Sequence, residues 1–253
     1  MDGTILNTLD DLADATNAAL AHFGYPKRCL DEVRQFVGNG TRRLIERAVP
    51  PNTSEADIET VFKWFGPYYQ AHADIKTKAY PGIEALLRDL RTNGVKTAVV
   101  SNKPDAAVKK LAVQYFDGLF DIAIGENEAA GVRRKPAPDS VDAALDALGL
   151  DRASAVYIGD SDVDLATAQN AGMDHILVTW GFRDKPFLKS CGAKVFADTP
   201  QAVLALILDE KHKGEADSVP RSPKGVYTPI GIRLISSHRQ AATNASVTSS
   251  SFK

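Results

Sequence analysis

Acidic residues, hydroxyls and a lysine recur in four short clusters of this sequence, and each cluster has the makeup of a site for phosphate or a hard cation. At Asp2-Gly3-Thr4 a carboxylate precedes a glycine that permits a tight turn, and the Thr4 hydroxyl can donate to an oxyanion. Alone, Asp-Gly is more often an ordinary turn. At Val99-Val100-Ser101-Asn102-Lys103-Pro104 an apolar run leads into a hydroxyl and an amide just ahead of a helix start. Ser101, Asn102 and the backbone N–H groups that follow can bind phosphate oxygens, or they can simply cap the helix. At Arg133-Arg134-Lys135-Pro136-Ala137-Pro138-Asp139 two prolines stiffen a loop that presents Lys135, whose ammonium can offset the charge of a transferring phosphoryl group. Arg133 reads as a solvated basic turn. At Gly159-Asp160-Ser161-Asp162-Val163-Asp164 three acids crowd the start of a helix, more than the helix N-terminus needs, and Asp160 and Asp164 can converge on one cation.

These clusters need a scaffold that brings them to one place. From Tyr80 onward short apolar runs alternate with amphipathic segments, as in a parallel sheet covered by helices. Strands are expected at residues 96–100, 122–124, 155–158, 176–179 and 194–196. Helices are expected around Leu86 to Leu90, after Pro104, from Val141 to a stop at Gly149, and from Thr199-Pro200 onward. Each cluster then falls at a strand's end, where open α/β sheets place their ligands. Residues 9–79 lose the strand pattern and read as an inserted helical domain. Its first helix carries Leu9, Leu12, Ala19 and Leu20, and its last opens on a Ser54–Asp57 capping pair. Pro67 is expected to kink or divide that last helix. Core segments are thus 1–8 and 80–208, with a cap at 9–79. Residues 209–253 lack apolar periodicity and read as a disordered tail whose removal leaves stability unchanged; residues 230–235 could make a short strand but have no neighbouring pattern.

Composition narrows the class of function. A net charge of -2 gives no bulk attraction to nucleic acid or an anionic membrane, so an anionic ligand needs a local site. Two distant cysteines, Cys29 and Cys191, make no disulfide framework and fit a reducing cytoplasm. No apolar stretch approaches a membrane span and no signal peptide is visible, so the reading is a soluble, unexported protein.

Taken together and in order, the four clusters resemble the signatures of the haloacid dehalogenase superfamily across residues 1 to about 208. Phe36-Val37-Gly38-Asn39-Gly40, Tyr80-Pro81-Gly82 and Thr179-Trp180-Gly181-Phe182-Arg183 are similar to the phosphoglycolate phosphatases of that superfamily. The resemblance implies an α/β fold, a Rossmann-like parallel sheet flanked by helices with an inserted all-helical cap. It implies a Mg²⁺-dependent hydrolase of a small phosphate monoester, most like 2-phosphoglycolate. Asp2 would be the general acid/base, with Ser101 and Lys135 holding phosphate, supported by Thr4 and Asn102. Mg²⁺ would be bound by Asp160 and the Asp2 backbone carbonyl and supported by Asp164, while Asn39 and Gly40 would meet substrate from the cap and set its choice.

One departure stands beside these matches. The family's first signature reads D-x-D-G-T, and Met1 stands at x, so the attacking carboxylate and its lead-in strand fall before the first residue. The expectation is a start that lies upstream, and little activity from the chain as written. Related alternatives are a phosphosugar phosphatase or mutase; the alternative from a different class is a non-catalytic protein that binds a phosphorylated ligand or a partner.

Overall fold

The computed structural model describes residues 1–38, 40–216 and 231–234. In chain order the elements are β1 (Leu6–Asn7), α1 (Leu9–His22), α2 (Leu30–Phe36), α3 (Thr41–Ala48), α4 (Glu55–His72), β2 (Lys78–Ala79), α5 (Ile83–Thr92), β3 (Lys96–Pro104) and α6 (Asp105–Phe116). They continue as β4 (Ile122–Glu126), α7 (Asp139–Leu148), β5 (Val156–Gly159), α8 (Asp162–Asn170), β6 (Asp174–Val178), α9 (Lys185–Ser190), β7 (Phe196–Ala197), α10 (Pro200–Ala216) and β8 (Gly231–Leu234). All five strands expected after Tyr80 form, each within about two residues of its expected start.

A six-stranded sheet in the order β4-β3-β8-β5-β6-β7 carries the core. Side chains alternate across it with the period of two that a pleated strand imposes. Val99, Val156, Ile158, Ile176 and Val178 enter one apolar cluster with Leu86, Leu87 and Leu90 of α5, whereas Ala98, Val100 and Tyr157 enter another with Val141 and Leu145 of α7. Strands buried on both faces read as continuous apolar runs, which is why they were legible. Gly149 ends α7 in the left-handed conformation, at φ 68°.

The inserted domain is helical throughout. Helices α1 to α4 bury their own cluster, in which Leu12, Ala19, Leu20, Val33, Leu44, Ile45, Val61 and Phe65 meet. Ser54 caps α4 by accepting from the Asp57 N–H at 3.2 Å. Pro67 does not divide α4, which runs unbroken to His72. Pro67 and Lys63, whose carbonyl loses its donor, both face solvent, and the buried stripe Ile58, Val61, Phe65 and Tyr69 holds the helix across the gap. The chain enters and leaves this domain through β1 and β2, which pair antiparallel as Leu6 opposite Ala79 and Asn7 opposite Lys78.

The middle of the sheet departs from expectation. β3/β4, β5/β6 and β6/β7 are parallel, but β8, from the segment read as lying outside the core, runs antiparallel between β3 and β5. Ile232 stands opposite both Ala98 and Tyr157. Two buried strands with no strand between them would leave rows of unpaired N–H and C=O groups, and β8 supplies the partners. A four-residue strand is defined by what it pairs with, so its own composition did not reveal it.

Candidate active site

The ends of β3 and β5, the loop after β4 and the first turn of the chain meet at one edge of the sheet. Residues 1–6 fold into a tight turn: the Met1 carbonyl accepts from the N–H groups of Thr4, Ile5 and Leu6 at 3.3, 3.0 and 3.1 Å, and Gly3 turns the backbone at φ 77°. A side chain on Gly3 would overlap the Asp160 carboxylate, and one on Gly181 would overlap it from the other side. Glycine at both positions lets backbone close on that acid.

Asp160 is 1% exposed. It accepts from the Thr4 hydroxyl at 2.8 Å and from the Phe182 N–H at 2.9 Å. Burial, with the Asp164 charge beside it, pushes its pKa up to about 6 despite those donors. Asp164 is a saturated acceptor. One oxygen takes Lys135 Nζ at 2.8 Å and Tyr157 Oη at 2.9 Å; the other takes the N–H groups of Asp160 and Ser161 and the Ser161 hydroxyl at 2.6 Å. Burial would raise its pKa, but Lys135 and these donors hold it well below the usual carboxylate range. Lys135, which burial would tend to neutralise, is kept firmly cationic by Asp164 and Tyr157. Asn102 closes a two-way bond with the Lys135 backbone, donating to its carbonyl at 3.0 Å and accepting from its N–H at 2.6 Å, and the Lys135–Pro136 peptide is cis.

The Asp2 side chain meets a cation that the sequence reading did not assign to it. Lys103 Nζ lies 3.3 Å from Asp2 Oδ1 and donates to Tyr69 Oη of α4 at 2.8 Å, while the Ser101 hydroxyl reaches Asp2 Oδ2 at 3.5 Å. Burial would raise the Asp2 pKa, but the Lys103 charge, the chain's amino terminus and hydrogen bonds from Thr8 and Lys103 together outweigh it, and the group lies below its ordinary value. Lys103 stood in the second cluster without a role. Only the fold shows that it faces Asp2 and that Tyr69 reaches it from 34 residues earlier.

The expected residues therefore lie at one edge of the sheet in two hydrogen-bonded groups, Asp2 with Ser101 in one and Thr4, Asp160, Asp164, Lys135 and Asn102 in the other, and several hydroxyl and amide groups serve other residues of the site. Thr4 serves Asp160, and Asn102 serves Lys135. Gly40, at φ 85°, lies at the cap's edge, where a Cβ would come 3.3 Å from Arg134 Nη1. Asn39 lies outside the described residues. Among the described residues no group of three His, Cys, Asp or Glu side chains forms a ready metal cage. The donor chemistry still suits one hard cation: Asp160 is a carboxylate raised in pKa by its burial and by a second acid, with backbone of the first turn packed against it, and a cation there relieves that strain in charge.

Residues 1–178 match the family model described as haloacid dehalogenase-like hydrolase. The chain belongs to that family. It is 35% identical over 190 residues to a phosphoglycolate phosphatase of Psychrobacter arcticus, covering 72% of this chain and 81% of the relative. It is 34% identical over 215 residues to one of Caulobacter vibrioides, covering 82% and 90%. A crystal structure from Lactobacillus delbrueckii subsp. bulgaricus, provisionally assigned as a phosphoglycolate phosphatase, superposes with a TM-score of 0.78 at 39% identity, over 82% of this chain and 95% of that one. The chain is thus a phosphatase-type hydrolase with the haloacid dehalogenase fold, a Rossmann-like sheet with a helical cap. No helix among the described residues is long and apolar enough to cross a membrane.

Proposed function

We propose that the protein hydrolyses a small phosphate monoester with Mg²⁺, and that 2-phosphoglycolate is its substrate. The observation that carries the reading is the convergence of two buried lysines, Lys103 and Lys135, with Asp2 and Asp160 at the sheet edge beneath the cap. The names of the relatives direct the choice of phosphate ester.

In this reading Lys135, fixed by Asp164, Tyr157 and Asn102, offers a preset positive charge to phosphate, so little reorganisation is needed as charge develops. The Ser101 hydroxyl supplies a donor from the end of β3. Asp2 moves the proton, from its carboxyl to the leaving alcohol and back from water. Lys103 favours the ionised, proton-accepting form; a phosphate dianion arriving alongside brings negative charge that favours uptake of the proton Asp2 must first give. Asp160 with the Asp2 backbone carbonyl would hold Mg²⁺, and the ion when bound supplies positive charge to the phosphate oxygens.

Phosphoryl transfer through an aspartyl phosphate also needs a carboxylate two residues ahead of Asp2. A polypeptide of residues 1–253 is then expected to bind phosphate ligands and turn them over poorly. Extending it by an apolar strand that ends in Asp two residues before Asp2 is expected to raise turnover by several orders of magnitude. Both are assayed on 2-phosphoglycolate and p-nitrophenyl phosphate, with and without Mg²⁺, beside an extended control with Asn at the added position. Equal rates from the short and Asp-extended polypeptides would overturn the proposed chemistry. A folded, inactive Asp-extended polypeptide would favour a ligand-binding role.

A further inference from the structure

Arg183 leaves the core and ends in the cap. It stands in the turn after β6, 13% exposed, with Nε 3.2 Å from Asp162 Oδ1 at the start of α8. Its other two nitrogens cross the seam: Nη1 donates to the Arg34 carbonyl at 3.0 Å and Nη2 to the Val37 carbonyl at 2.7 Å. These are carbonyls at the C-terminal end of α2, where a helix leaves acceptors unpaired and presents partial negative charge. A guanidinium has the planar fork to take two of them while keeping a carboxylate on its third edge.

The same arginine bears on the loop that follows. Gly38 sits at φ 128°, and a Cβ there would stand 3.4 Å from Arg183 Nη2. Arg134, anchored on Glu126, stands equally close to Gly40. The two glycines thus lie against two arginines of the core. A crevice of about 360 Å³ opens beside Arg183, lined by Arg34, Gln35, Phe182, Asp184 and Phe187, so the seam at this point is bridged by polar contacts and is not packed solid. The neighbouring residue in the turn, Phe182, gives its N–H to Asp160. One turn therefore grips the candidate cation-binding carboxylate with one residue and the cap with the next.

We propose that Arg183 is the latch that holds the helical cap shut, and that it sets substrate choice as a positioning residue by fixing the backbone at Val37 and Gly38. The latch stands on geometry alone, whereas the link to substrate choice rests on the phosphatase reading. Arg183→Met removes all three donors and keeps much of the side chain's length; Arg183→Lys keeps the charge and one reaching donor. Hydrogen exchange on the full chain is expected to be at least about tenfold faster for amides of residues 33–41 in Arg183→Met, unchanged in α5 and β3, and partly restored in Arg183→Lys. Unchanged exchange at 33–41, or equal acceleration through the whole molecule, overturns the latch. Calorimetric titration with Mg²⁺ present then compares 2-phosphoglycolate with inorganic phosphate. Arg183→Met is expected to weaken the first about tenfold and the second less than twofold. Equal weakening of both, or of neither, overturns the link to substrate choice. If the unaltered chain binds neither ligand, the phosphatase reading falls with that link, and the exchange result alone decides the latch.

Discussion

Asp160, buried, and Asp2, partly buried, are two acids pushed in opposite directions, and each makes a prediction. For Asp160 the folded pKa is raised from an ordinary 3.8 to about 6, so its contribution to stability is fully present below about pH 4 and is lost as pH rises through 6. Asp164 works the other way, but its window lies at lower pH. Without metal, Asp160→Asn should therefore gain on the unaltered protein by roughly 1–3 kcal/mol between pH 5 and pH 7.5, read from urea midpoints at each pH. A difference that does not change with pH would mean that neither burial nor the Asp164 charge raises the Asp160 pKa. For Asp2 the cation is Lys103, itself only 9% exposed along its side chain. Lys103→Met should cost roughly 1–3 kcal/mol at pH 7, because it strands a partly buried charge. Much of that loss should return in Lys103→Met/Asp2→Asn, and a strictly additive double variant would show that the two groups do not interact. Sequence reading found both acids from their motifs. It gave Lys103 no role, because nothing in the spacing of 101 residues from Asp2 says that the two side chains meet.

Among the elements, β8 is the one whose role reverses the expectation from composition. Its residues lie in a Ser- and Thr-rich stretch, yet they separate β3 from β5 and pair with both. A chain ending at Ala216 should lose at least about 2 kcal/mol in a denaturant titration, since several backbone hydrogen bonds worth about 1 kcal/mol each disappear together. Retained stability would mean that the sheet closes without this strand. The helices were easier to read. α1, α5 and α7 carry stripes at helical spacing with clear stops, so local pattern and tertiary burial agree. α4 survives Pro67 because packing at Phe65 and Tyr69 overrides a local rule.

At the scale of the molecule, Met1 is buried in one cluster with Val99 of β3 and Val156 and Ile158 of β5, so a strand added ahead of it is expected to seek the place between β3 and β5 that β8 takes. The extended polypeptide should therefore expel β8, seen as loss of hydrogen-exchange protection at residues 232–234 while protection of β3 and β5 persists. Full activity with β8 still protected would show that the two strands do not compete. The division between sequence and structure follows from the range of the interactions. Fold class, the helical insert and the order of the chemical clusters were legible from the sequence alone, because periodicity, turn residues and motif spacing are local properties of a chain. Tertiary structure alone decided which lysine faces Asp2, which hydroxyl serves Asp160, what fills the centre of the sheet, and that Arg183 joins core to cap. Each of these is a contact between residues 73 to 156 positions apart, made by packing and by the need of buried polar groups for partners, and no local pattern encodes it.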